Sequence, residues 1–280
     1  RPRSPLSIFI CHFPDSLRRT YFAVDDYTFL ITNSEYGKEW VGRRWGLGTS
    51  LVLHPAVDMQ APPREKEPII LSVSRFEPGG SKRQDELIRA FRRLLREHPE
   101  ELEGWRLILA GGSLPDNDYL KALRELAAPE GDRISFLVNA AYEEIGDLYA
   151  RASLFWHACG LNAVDPHWVE HFGMTTVEAM QNACVPIVIN GGGQREIVEH
   201  ERSGFLFTTV DELCHYTRQI IGGAELRRAL QEGARLRSEQ FRRARFDDTV
   251  KRLFGIIAGE YAGIRSPDPQ EVLAILAQSA

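Results

Sequence analysis

The sequence predicts an α/β protein built on a doubly wound parallel sheet. Three observations carry that expectation. A chain of 280 residues with 43% hydrophobic content can bury one large core or two modest ones. Beyond a proline-rich break near residue 60, apolar runs switch regularly between strand and helix periods. A helix between each pair of strands then implies right-handed crossovers and parallel pairing.

In order, 6–13 reads as a buried strand bounded by Pro14 and Asp15, and 27–32 as a second. Asn33-Ser34 marks a helix start, 35–45 is amphipathic, and Gly46 and Gly48 close it. A short strand, 51–53, follows. Gln, Pro, Arg, Glu and Lys dominate 58–68, which reads as a linker with prolines at 62, 63 and 68. Strands are then expected at 69–73, 105–110, 134–138, 154–157, 186–190 and 204–207, with helices at 85–98, 119–127, 142–150, 176–183 and 194–200 between them. Helices at 211–222, 224–241 and 247–259 and an apolar stretch at 272–276 complete the chain. The first sixty residues hold too few elements for a domain and read as the end of a larger one. The expected partition is 1–61, a remnant with linker; 62–245, the main domain; and 246–280, a returning helix and tail.

A net charge of −5, with 34 basic and 39 acidic residues interleaved, leaves no broad basic face for nucleic acid. Arg89, Arg92, Arg93 and Arg96 share the wet side of one helix. Cys11, Cys159, Cys184 and Cys214 lack pairing motifs in a chain that needs no staples, so free thiols and a cytoplasmic setting are expected. No apolar run approaches the ~20 residues that span a bilayer, so membrane contact is expected to be peripheral at most, at the inner face.

In a parallel sheet the ligand crevice lies beyond the carboxyl ends of the strands. That rule gathers loops 74–82, 111–116, 139–141 and the one carrying Glu170. Glu170 and Glu178 bracket Gly173 and a helix start expected at Thr176. Glycine lets backbone approach a ligand, and the free N–H groups of a helix start suit a phosphate. Glu178 in the first turn can accept from a ribose diol, and Glu170 can reach a sugar hydroxyl. Thr175-Thr176-Val177-Glu178 is equally a capping box, with Glu178 reaching back to the backbone.

Arg75 and Lys82 are two cations at a strand end joined by a Pro-Gly-Gly loop, which suits a diphosphate whose charge grows as it leaves. A P-loop is absent. Gly111-Gly112 and Gly191-Gly192-Gly193 are glycine turns between strand and helix, each either a tight connection or a phosphate contact. His157 ends a strand where a polar group enters the crevice, as a hydrogen-bond donor or a satisfied core residue. The eight histidines show no spacing for three convergent metal ligands, and no metal or cofactor is expected.

Four segments in register, 70–91, 107–112, 170–180 and 185–207, make the sequence similar to the C-terminal half of GT-B glycosyltransferases of the large retaining family 4. The likeness runs from about Ile69 to Phe254, and more weakly back to Leu6. It implies a Rossmann-like nucleotide-sugar domain with the E-x7-E motif at Glu170 and Glu178. Arg75 and Lys82 match the pair that binds the donor diphosphate and stabilises it as leaving group, without a metal. Glu178 matches the carboxylate on the ribose, and Glu170 the one near the reacting carbon. Phe172, Gly173, Met174 and Thr175 match backbone contacts to sugar and phosphates, and Val138 and Asn139 lie where the base is received. Ser74 and Arg83 stand where the family usually has glycine, and His171 where glycine or serine is frequent. Glu170-His171-Phe172-Gly173 is similar to the branch with GDP-mannose-dependent mannosyltransferases, and the donor stays open between UDP and GDP types.

The resemblance implies transfer of a hexose, with retention, to a hydroxyl of a sugar, lipid-linked sugar or polysaccharide. This chain would supply the donor site and be inactive alone. A UDP-sugar epimerase of the same architecture and a non-catalytic nucleotide-sugar-binding module are the alternatives.

Overall fold

The computed structural model describes residues 7–14, 27, 29–47 and 50–262, with side chains to 255. Leu6, Gly48 and the apolar stretch expected at 272–276 lie outside the described residues. The chain divides into Met59–Glu239 and the segments on either side of it, with breaks after Asp58 and Glu239.

In Met59–Glu239 the strands are β4 (Glu67–Val73), β5 (Arg106–Gly111), β6 (Ile134–Val138), β7 (Ala152–His157), β8 (Val185–Ile189) and β9 (Phe205–Phe207). All pair in parallel, in the order β6-β5-β4-β7-β8-β9. The chain therefore works outward from β4 to β6 and returns to place β7 beside β4, and connections leaving those two strands diverge to open a crevice. Helices α2 (Gln84–Glu97), α3 (Asp118–Ala127), α4 (Tyr142–Arg151), α5 (Met174–Gln181), α6 (Gln194–Ile197), α7 (Val210–Gly222) and α8 (Ala224–Ser238) supply the connections and the covering layers.

Burial on both faces explains the near-continuous apolar strands. Every residue of β7 and β8 is buried. Ile70, Leu107, Leu109, Leu154, Trp156, Val185 and Ile187 pack in one cluster with Leu87, Phe91, Leu123, Leu213 and Ile220 of the helices. Ile69 and Leu71, equally buried, lie outside it, as strand alternation requires.

The flanking unit carries a parallel sheet β1-β2-β3 of Ile8–Cys11, Phe29–Thr32 and Ser50–Val52. Helix α1 (Glu35–Trp45) joins the last two; Ser34 Oγ accepts from Gly37 N at its start and Gly46, at φ 69°, ends it. Leu253 of α9 (Arg243–Ala262) packs against Ile31 and Leu51.

Several elements depart from expectation, each for a local reason. Helix α5 opens at Met174 rather than Thr176, because Gly173 adopts φ 119° and turns the chain into the helix early. The 194–200 helix stops at Ile197, where Val198 becomes extended and His200 bridges to Gly204. The 224–241 helix tightens into a 3-10 turn over Glu239–Phe241. The presumed linker is docked: Met59 N and Ala61 N donate to Gln181 Oε1 and Asn182 Oδ1 at 2.8 and 3.0 Å. Its end, Glu67 and Pro68, is already strand, with the register shift against β7 falling between Glu67 and Ile70, a place where proline's missing N–H does little harm.

Candidate functional site

The loop after β4 is held by buried polar side chains. Gln84, the first residue of α2 and 1% exposed, donates to Ser74 Oγ and to Arg75 O at 2.9 and 3.0 Å and accepts from Tyr119 OH at 3.0 Å. Asn117 Nδ2 donates to Phe76 O, and Phe76 N donates to Gly112 O. Gly111 ends β5 so close to this loop that a Cβ on it would stand 2.0 Å from Ser74 O. Asn139, in the left-handed region at φ 55°, spends its amide on Ser113, accepting from N at 2.8 Å and donating to O at 3.1 Å. The Asn139 side chain is thereby engaged within the protein.

Lys82 closes the loop and turns inward. Its Nζ lies 2.9 Å from Glu170 Oε2 and 3.6 Å from Cys159 Sγ. Burial alone would lower the ammonium; Glu170, with Cys159 and Glu77, outweighs it and holds Lys82 above its ordinary value. Burial likewise pushes the Glu170 carboxyl up, but the hydrogen bond from His157 and the charge of Lys82 prevail and keep it well below the usual carboxylate range. His157, last residue of β7 and 3% exposed, places Nε2 3.4 Å from that same Oε2. Burial pushes the Cys159 thiol up to about 12 and the neighbouring His171 imidazole down to about 4. At neutral pH both are therefore uncharged.

The Glu170 loop leads into α5. Phe172 is 3% exposed, so its side chain belongs to the core, while Met174 is 48% exposed at the helix start. Thr176 N and Val177 N both donate back to Gly173 O, which leaves the N–H groups of Met174 and Thr175 directed out of the helix end. With Gly173 as N-cap, Thr175 lies inside the helix and no capping box forms. Glu178 is consequently in the second turn, not the first, and instead accepts from Tyr149 OH at 2.9 Å, a hydroxyl also 3.3 Å from Thr175 O.

The structure thus brings Lys82, Glu170 and His157 into contact, and sets Gly173 and the α5 start directly after Glu170. Arg75 is not in that cluster: it is 74% exposed and paired with Glu77 at 2.5 Å. Glu178 faces Tyr149. Sequence reasoning missed Gln84, Tyr149 and Gln194, whose partners Tyr119, Glu178 and His157 lie 35, 29 and 37 residues away; a glutamine opening a helix directly after a glycine turn was the available signal at 194. Among the described residues no three His, Cys, Asp or Glu side chains group to hold a metal ion, and no helix is long and apolar enough to cross a membrane.

A parallel Rossmann-like sheet with an ammonium–carboxylate pair at its carboxyl edge defines the class: the C-terminal half of a GT-B fold. Anabaena HepE, solved in complex with UDP and glucose, shares the fold with a TM-score of 0.70 at 21% identity, over 89% of this chain and 71% of that one. Residues 56–237 match the family described as Glycosyl transferases group 1, and the chain belongs to it. Among curated relatives, the GDP-Man:Man(3)GlcNAc(2)-PP-Dol alpha-1,2-mannosyltransferase of Dictyostelium discoideum is 27% identical over 213 residues, covering 70% of this chain. That of Homo sapiens is 27% identical over 248 residues, covering 80%. The chain spans 40% and 48% of their respective lengths.

Proposed function

We propose that this chain supplies the donor site of a retaining family 4 glycosyltransferase that moves a hexose from a nucleoside diphosphate sugar to a hydroxyl acceptor, without a metal. The observation that carries the reading is the inward Lys82–Glu170 pair, 2.9 Å apart and next in sequence to the open N-terminus of α5. In transfer, the bond between the anomeric carbon and the diphosphate oxygen breaks with its electron pair leaving on the diphosphate. Lys82 and Arg75 meet that charge, the α5 start holds a phosphate, and Glu170 lies beside the sugar. The acceptor oxygen bonds the carbon on the face the diphosphate leaves, and its proton passes to the departing diphosphate oxygen.

Arg75 must exchange Glu77 for phosphate. An exposed ion pair such as Arg75–Glu77 is worth about 0–1 kcal/mol, whereas a hydrogen bond to a charged group contributes roughly 1.5–3 kcal/mol. The Glu77 pairing is a small obstacle to that exchange. Glu178, held by Tyr149, takes the ribose hydroxyls, and the backbone of Val138 and Asn139 receives the base.

The names of the mannosyltransferase relatives favour a GDP-type donor, a mannosyl group and a lipid-linked sugar as acceptor. Action in the cytoplasm with peripheral contact at the inner face of a membrane follows from such an acceptor; nucleic acid takes no part. By itself the 280-residue chain binds donor and does not transfer. Calorimetry with GDP, UDP and their nucleosides tests the site. Lys82→Ala is expected to weaken the diphosphates at least tenfold, about 1.4 kcal/mol or more, and the nucleosides little. Equal losses on both would refute the diphosphate assignment.

A further inference from the structure

We propose that Gln194 is a positioning residue whose buried amide fixes the tautomer of His157, so that the imidazole donates from Nε2 to Glu170. Gln194 opens α6 and is 0% exposed. Its Nε2 lies 3.3 Å from His157 Nδ1, and the other ring nitrogen lies 3.4 Å from Glu170 Oε2. The turn before it is tied to the same loop, since Gly193 N donates to Glu170 O at 2.9 Å.

A neutral imidazole has one donor nitrogen and one acceptor. The amide N–H of Gln194 requires Nδ1 to accept, which puts the proton on Nε2. Ionised Glu170 can only accept, which requires the same. Both ends of the relay select one tautomer. Glu170 Oε2 already accepts from the Lys82 ammonium at 2.9 Å. Two donors on one oxygen fix the rotation of the carboxylate.

The glutamine is poorly accounted for as core filling. Its Oε1 is buried with no hydrogen-bond partner, and a native buried polar atom left unpaired calls for an explanation. The orientation that serves the ring is the one that leaves this oxygen unpaired. Glycine at 173 leaves the amide its room, because a Cβ there would stand 2.8 Å from Gln194 Nε2. That the relay serves donor binding rests on the reading of Glu170 given above; the tautomer itself does not.

The test labels histidine with 15N in the whole chain and reads the His157 ring by long-range proton–nitrogen correlation at neutral pH, assigned by its loss in His157→Asn. Expected are a pyridine-like Nδ1 and a pyrrole-like Nε2; a protonated Nδ1 overturns the proposal. In Gln194→Glu the new carboxylate accepts from Nδ1, so both nitrogens should become pyrrole-like, and an unchanged ring overturns it too. If His157→Asn fails to fold, the ring is assigned in the unsubstituted chain by its Overhauser contact to the Gln194 side chain, and that spectrum still decides. GDP and GDP-mannose titrated on the same samples separate the two claims. Gln194→Leu is expected to weaken the sugar nucleotide about fivefold more than GDP, and equal effects overturn the role through Glu170. No binding of GDP or UDP by the unsubstituted chain sinks the donor-site reading and leaves the tautomer to stand on its spectrum.

Discussion

Glu178 is held against its own interest in stability. Burial raises its carboxyl above the ordinary range, and the hydrogen bond from Tyr149 offsets only part of that. For a group whose folded pKa is raised, the stabilisation is complete below the unfolded value, near 4.3, and is lost as pH rises through the folded one. At neutral pH the ionised side chain therefore costs stability. Glu178→Gln keeps an acceptor for Tyr149 and removes the charge. It should leave the urea midpoint at pH 7 equal or higher, flatten its decline from pH 4 to 7, and weaken GDP or UDP about fivefold by losing a charge-assisted bond. Lower stability together with unchanged affinity would remove the ribose assignment. Residue types at the site were legible: the E-x7-E spacing and the Arg75–Lys82 loop stand out in sequence. Where each side chain points was not. The turn of Arg75 toward Glu77 is a local rotamer choice, and the partners Tyr119 of Gln84 and His157 of Gln194 lie 35 and 37 residues away.

Elements with their signals inside them were read well. Helix α1 carries Ser34 before it and Gly46 after it, and β6 is bounded by Arg133 and Asn139. Helix α5 was misplaced because T-x-x-E imitates a cap, whereas a glycine N-cap in the left-handed region leaves little trace in composition. The chain before β4 shows the same limit: proline and charge mark it as a connection, yet Lys66 is an anchor. Its Nζ donates to Tyr149 O, Ala152 O and Asn182 O at 3.1, 2.8 and 2.5 Å, gathering carbonyls at the ends of α4 and α5. A cation suits those ends. Lys66→Met should cost about 1–3 kcal/mol, read as a lower urea midpoint; a shift within error would mean that water replaces the ammonium freely.

For the whole molecule, strand order decides where function can sit. The reversal between β4 and β7 was legible only as the general rule for parallel sheets; which strands flank it comes from the pairing itself. GDP or UDP is expected to slow amide hydrogen exchange in 74–83, 111–116, 138–141 and 170–176, with no change in 29–47. Protection confined to the latter would place the nucleotide elsewhere. One further segment belongs on the protected side. Helix α5 spans Met174–Gln181, a rod about 12 Å long. One tip holds the outward N–H groups of Met174 and Thr175, while Gln181 and Asn182 at the far tip accept from the amides of Met59 and Ala61. A nucleotide held at the near tip is expected to steady the far one as well. Slower exchange at Met59 and Ala61 on adding GDP is the expected reading, and unchanged exchange there would mean that the two tips move independently.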